Sequence, residues 1–229
     1  RQVGGMEALL RWKNPQIGLV PPGKFIPIAE KTGLIHSLGD WVLRTACVQN
    51  KIWQDKGLPK VPIAVNLSAL QFNNRHLAKN VSAILNESGL PPKYLELEIT
   101  ESVVSRQPLS VVETINSSRT SGVSIAIDDF GTDYSSLQYL KQLPIDRLKI
   151  AMPFVQGIAV NQQDEAITQA IILLAKKMNL RVIAEGVETK NQLSFLKQYN
   201  CQDAQGFYFY KPLPAEEMEL VLKNGVPIK

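Results

Sequence analysis

The fold this chain predicts is an α/β barrel of the TIM type. Three observations lead there. Seven short β-rich runs alternate with longer helical runs, the polar residues of the β-rich runs fall at telling places along them, mostly their C-terminal ends, and no GxGxxG loop opens any helix. Alternation implies parallel strands joined by crossover helices. The missing Gly-rich loop weighs against an open doubly wound sheet, the main alternative. The 229 residues fit one domain spanning 1–229, because barrels of this class run to about 250 residues as a single unit. Seven strands leave the (β/α)8 pattern one short.

In chain order, the first strand falls at 6–12 and carries Glu7. A helix follows over 35–56, with apolar residues at Leu38, Val42, Leu43, Ala46 and Trp53. The run Ile63-Ala64-Val65 makes a strand at 63–67 that brings Asn66 to its end. A helix over 75–88 stops at Gly89, a residue suited to a left-handed cap. The strand at 95–99 carries Glu98, and a helix over 110–121 stops at Gly122. The strand at 124–128 ends in Asp128, with Asp129 next. The strand at 147–150 holds Lys149. A helix over 164–178, a strand at 181–184 followed by Glu185, a helix over 190–199, a strand at 203–207 with Gln205 and a helix over 215–223 before Gly225 complete the chain.

Composition narrows the classes. With 45% hydrophobic and 20% charged residues, a full core forms and global disorder is excluded. The net charge of +4, from 25 basic and 21 acidic side chains, suits a small anionic ligand. No Lys/Arg run marks a groove for a nucleic-acid polymer. Cys47 and Cys201 are too few for a disulfide framework and read as packing residues of a reduced, cytoplasmic domain. The longest apolar run, 170–175, is far too short for a membrane span, so no membrane contact is expected from the domain itself. Residues 1–5 lack an initiator Met and do not resemble a signal peptide. The chain therefore reads as a piece of a longer signalling protein whose sensor or membrane anchor lies elsewhere.

Parallel α/β folds bring their strand C-termini to one face, where active sites form. Glu7, Asn66, Glu98, Asp128, Asp129, Lys149, Glu185 and Gln205 should therefore converge. A carboxylate buried there without a partner would cost several kcal/mol. Any one of these acids alone is more simply a cap or a surface charge, and Asp128-Asp129 alone could be a turn. Five together, Glu7, Glu98, Asp128, Asp129 and Glu185, require cations. An oxygen-only donor set selects Mg²⁺, Mn²⁺ or Ca²⁺ over zinc. His36 and His76 lie in or beside helical segments and read as ordinary residues. Lys149, the basic member, suits an anionic oxygen or an attacking water. Two cations, a lysine and a phosphate ester suggest in-line hydrolysis.

These residues carry a resemblance. Glu7-Ala8-Leu9 is similar to the name motif of the EAL-domain cyclic di-GMP phosphodiesterases. The likeness continues through 22–25, Ile26-Pro27-Ile28-Ala29-Glu30, Asn66-Leu67-Ser68, Glu98-Ile99-Thr100-Glu101, Asp128-Asp129-Phe130-Gly131-Thr132, Lys149, Ala184-Glu185-Gly186-Val187-Glu188 and Gln205-Gly206-Phe207. Eight ordered motifs over essentially the whole chain make the likeness specific. It implies that Glu7, Asn66, Glu98 and Asp128 hold one metal, that Asp128 bridges to a second held by Asp129, and that Glu185 joins the cluster. Two Mg²⁺ or Mn²⁺ ions per site follow. The resemblance gives Lys149 the water or its metal-side partner and Gln205 an orienting role. It sets Glu101 and Glu188 behind the site, Glu101 steadying the loop after Asp129, and puts Arg11 and Ser68 near the substrate phosphates. The implied reaction opens cyclic di-GMP to linear pGpG. A homodimer through 130–140 and an upstream sensor or GGDEF-type domain are implied partners.

The chain departs from the family in three places. Asp133 stands where the loop usually has its second Gly, and Asp tolerates positive φ less well. Ala151 stands where Asp often follows the lysine by two residues. The family's opening strand is absent. A catalytically weak or inactive cyclic di-GMP receptor is the alternative these departures keep open.

Overall fold

The computed structural model describes residues 2–106, 108–132 and 140–225, apart from the side chains of 105–111. Asp133 and most of the 130–140 segment lie outside the described residues.

The chain opens with strand β1 (Met6–Ala8) and a short antiparallel hairpin, β2 (Trp12–Asn14) against β3 (Gly18–Val20). Helices α1 (Pro22–Thr32) and α2 (Ile35–Asp55) follow, then β4 (Ile63–Asn66), α3 (Ala69–Phe72) and α4 (Leu77–Ser88). Next come β5 (Leu95–Thr100), α5 (Glu101–Arg106), α6 (Pro108–Thr120) and β6 (Ser124–Phe130). The last part holds β7 (Arg147–Ile150), α7 (Met152–Gln156), α8 (Gln162–Lys177), β8 (Arg181–Ala184), α9 (Lys190–Gln198), β9 (Asp203–Ala204) and α10 (Ala215–Asn224).

Among the described residues seven strands form one parallel sheet in the order β1-β4-β5-β6-β7-β8-β9. The order never reverses, as a doubly wound sheet's would. It is the singly wound order of a TIM-like barrel, as the alternation predicts. Among the described residues no ladder joins β9 to β1. The expected single strand at 6–12 is instead broken after Ala8. The Asn14 side chain accepts from the N–H groups of Gln16 and Ile17 at 2.8 and 3.2 Å, and Gly18 takes φ 76°, so the chain turns into the hairpin. Helix α1 escapes a propensity reading because Pro27 lies inside it. The stops at Gly89 and Gly122 hold, at φ 69° and 85°.

Strand alternation decides where the core sits. Leu95, Leu97, Ile99, Ile125, Ile127, Leu148 and Ile150 point toward the helices and are almost completely buried. Their alternate neighbours Glu96, Glu98, Arg147 and Lys149 point into the barrel, also buried. The apolar core is thus the layer between sheet and helices, where each large aliphatic side chain contributes about 1.5–3 kcal/mol. The interior is left charged and lines a cleft of about 1180 Å³.

Candidate active site

The interior has two tiers. In the lower one, Arg147 contacts Glu96 at 3.3 Å and Asp203 at 3.7 Å, and Arg181 reaches Asp203 at 2.7 Å. Burial pushes the Glu96 carboxyl up, with Arg147 opposing. Reading strand ends alone misses this tier, although Glu96, Arg147 and Asp203 each precede a rim residue by two: Glu98, Lys149 and Gln205.

The upper tier is the rim. Glu7 on β1 receives an amide on each oxygen, from Asn66 Nδ2 at 2.7 Å and Gln205 Nε2 at 2.6 Å. These contacts fix the carboxylate, and Gln205, directly after β9, ties that end of the sheet to β1 across 198 residues. Lys149 Nζ lies at the centre, 1% exposed, at 2.7 Å from Glu98, 2.7 Å from Glu185, 3.2 Å from Asp128 and 3.7 Å from Glu7. Asp128, Asp129 and Glu185 place carboxylate oxygens within 4.8 Å of one another.

Asp128 and Asp129 reach one site because the strand is irregular. In a regular strand adjacent side chains face opposite ways. Here the β6–β7 register shifts between Ile127 and Phe130, and Asp129 takes φ 54°. Such a bulge re-aims a side chain. Glu101, 3% exposed at the start of α5, accepts the Gly131 N–H at 2.8 Å and pins the loop that follows. Glu101→Ala would leave that donor without its acceptor. It is expected to weaken divalent-metal affinity by about 10–100-fold and to lower the melting temperature, both readable by calorimetry. Glu185 is followed by Gly186 at φ 70°, where an added Cβ would run into Met152.

Electrostatics set the demand for cations. Burial pushes Glu98 up to about 8, against the pull of Lys149, with Glu7 and Asp128 raising it further. Burial likewise pushes Glu185 up to about 7, opposed by Lys149 and assisted by Asp128. Burial alone would lower Lys149, but Glu98, Glu7, Glu185 and Asp128 outweigh it and hold the ammonium well above its usual range. Four carboxylates around one lysine, with Asp129 beside two of them, keep a large negative excess that protons partly relieve. Hard divalent cations fit that oxygen-only donor set.

The remaining expected residues are more peripheral. Arg11 lines the cleft, exposed, its guanidinium donating to Leu10 O at 2.9 Å. Ser68 caps α3, its hydroxyl accepting from Gln71 N at 3.3 Å. Glu188 is exposed, lines the cleft and accepts from Gln156 at 3.4 Å. Ala151 is fully buried. His36 and His76 are exposed, and both cysteines are free, with thiols pushed up to about 12 chiefly by burial. Among the described residues no helix is long and apolar enough to cross a membrane.

Comparison with known proteins gives consistent matches. The EAL domain family profile matches residues 1–212. The bifunctional diguanylate cyclase/cyclic di-GMP phosphodiesterase MucR of Pseudomonas aeruginosa is 48% identical over 214 residues, covering 93% of this chain and 31% of MucR. The cyclic di-GMP phosphodiesterase NbdA of the same organism is 42% identical over 222 residues, covering 97% of this chain and 28% of NbdA. The chain thus spans under a third of these relatives. The solved PaMucR phosphodiesterase in complex with c-di-GMP superposes with a TM-score of 0.90 at 48% identity, covering 93% of this chain and 86% of that one. The EAL enzyme Bd1971, bound to cAMP and cyclic-di-GMP, superposes with a TM-score of 0.91 at 32% identity, covering 96% of this chain and 61% of that one.

Proposed function

This chain belongs to the EAL domain family, and on that footing we propose that it is a metal-dependent phosphodiesterase that hydrolyses cyclic di-GMP to linear pGpG. The observation that carries the reading is the convergence of Glu7, Glu98, Asp128 and Glu185 around the Lys149 ammonium, with Asp129 beside Asp128 and Glu185. Glu7, Asn66, Glu98, Asp128, Asp129 and Glu185 would hold Mg²⁺ or Mn²⁺, two per site. When bound, such ions offset negative charge on the phosphate and make water a better nucleophile.

The chain's own groups do the positioning. Asn66 and Gln205 fix both oxygens of Glu7, so it meets the site in one orientation. The raised Lys149 stays charged at neutral pH and is no proton acceptor there. Its charge holds Glu98, Glu185 and Asp128 together and attracts the phosphate. Arg11 at the cleft wall suits a second phosphate oxygen, and Ser68 sits after β4 on the same side. Water adds across one P–O bond, and the freed hydroxyl leaves with the proton. A homodimer, an upstream sensor or GGDEF-type domain and a cytoplasmic location belong to the same reading.

Purified domain supplied with Mn²⁺ and cyclic di-GMP is expected to release pGpG, followed by chromatography. Binding without any pGpG would make it the receptor instead, and no binding would sink both readings.

The raised carboxyls give a second test. Their pKa lies above the ordinary value of 4.5, at about 8 and about 7. Between roughly pH 4.5 and 8 these two carboxyls therefore hold more protons in the folded, metal-free protein than in the unfolded chain, and their contribution to stability falls as pH rises. Cations must displace those protons. Metal affinity is expected to strengthen by up to about tenfold per pH unit for each proton displaced, so the thermal shift given by Mn²⁺ should be larger at pH 8 than at pH 6.

A further inference from the structure

We propose that Arg147 is a positioning residue: it sets the place of Gln205 and, through Gln205, the orientation of the Glu7 carboxylate. Arg147 lies on the barrel floor, one pleat below the rim, and is 7% exposed. Its two terminal nitrogens reach different strands. One contacts Glu96 on β5 at 3.3 Å, the other Asp203 on β9 at 3.7 Å. Neither strand is a neighbour of β7, since β6 and β8 lie between. The side chain thus bridges two strand spacings on either side, roughly 10 Å each way. It links the strands that bear Glu98 and Lys149 to the one that leads into Gln205.

The link matters most at β9. Strands β5 and β7 have a hydrogen-bonded neighbour on both sides. Strand β9 has two residues and, among the described residues, pairs with β8 alone. Gln205 follows it directly. The Gln205 N–H donates to Ala184 O at 2.8 Å and the Val187 N–H to Gln205 O at 2.9 Å, while the Gln205 side chain donates to Glu7 at 2.6 Å. Arg181 also reaches Asp203, at 2.7 Å, but its side chain is 54% exposed and water screens the pair. Arg147 is therefore the buried tether of this end of the sheet. A side chain present only to fill the floor would be different. Barrel interiors are usually packed with branched apolar residues, and such packing is often as stable as a buried ion pair or more so. Here the floor holds an arginine whose Nε meets no acceptor among the described residues, a buried polar group that calls for an explanation. What the charge supplies and apolar packing cannot is a directed contact between strands that are not neighbours. The proposal rests on the metal site proposed above only in treating Glu7 as a ligand.

Amide hydrogen exchange of the metal-free 229-residue chain tests the tether without metal or substrate. Arg147→Met is expected to speed exchange at Gln205 and Val187 by about tenfold or more while the amides of β5 keep their rates, whereas a merely structural role would speed both together. Calorimetry is expected to show Mn²⁺ binding about tenfold weaker, with no further loss when Arg147→Met is added to Gln205→Ala. Should Arg147→Met fail to fold, Asp203→Asn cuts the same link at a less buried side chain with little change in volume, and is expected to reproduce each effect. Unchanged exchange at Gln205 overturns the proposal, and so does uniform acceleration across the sheet. So does an Mn²⁺ affinity that is unchanged, or that falls equally with and without Gln205. An unsubstituted chain that binds no Mn²⁺ would instead overturn the metal site, and exchange alone would then decide the tether.

Discussion

Lys149→Met is expected to lower turnover of cyclic di-GMP by about 10³-fold and to destabilise the metal-free protein. Methionine roughly matches the aliphatic stem, so the loss is of charge rather than volume. The ammonium it removes contacts four carboxylates, and Glu98 at 2% side-chain exposure depends on it for a 2.7 Å hydrogen bond. Removing one partner of a buried pair costs about 3–5 kcal/mol. Protonation of Glu98 is the escape, so the destabilisation is expected to be larger at pH 8.5 than at pH 6. Divalent cations should restore part of the melting temperature but not the rate. Kinetics and thermal denaturation, each with and without Mn²⁺, read both effects. Unchanged kinetics would remove Lys149 from the mechanism.

Asp128→Asn is expected to be as damaging to activity, by about 10³-fold or more, with the opposite effect on metal-free stability. Asparagine can keep the 2.9 Å hydrogen bond from Asp129 N. It removes the negative charge that helps raise both Glu98 and Glu185. Relief of that repulsion should raise the metal-free melting temperature above pH 7, while calorimetry shows metal affinity falling. Sites that hold like charges together store strain for function, and neutralising them trades activity for stability. Glu7→Ala is expected to abolish turnover by the same logic, since Asn66 and Gln205 lose the carboxylate they orient. A rate unchanged by either substitution would contradict the placing of these acids.

Much of this was legible in the chain. Apolar alternation in Ile63-Ala64-Val65 and Leu95-Glu96-Leu97-Glu98 is local, because a pleated strand shows its two faces in its own sequence. Gly89 and Gly122 marked helix ends because only a residue without a Cβ enters the left-handed region cheaply. The hairpin after Ala8 was harder, since it depends on one Asn side chain replacing backbone partners. Helix α1 was hidden by Pro27. The lower tier of Glu96, Arg147 and Asp203 was visible two residues before each rim position, yet charged residues inside a barrel run against the usual apolar filling.

The alternating elements, the face on which acids collect and the oxygen-only character of the donors follow from side-chain period and residue type, and so are present in the chain before it folds. That Lys149 is the hub, that a bulge turns Asp128 and Asp129 toward one place and that Gln205 meets Glu7 emerges when the strands assemble. Those outcomes rest on strand register and barrel curvature, which are set by packing between residues far apart in the chain and leave no trace in any local window.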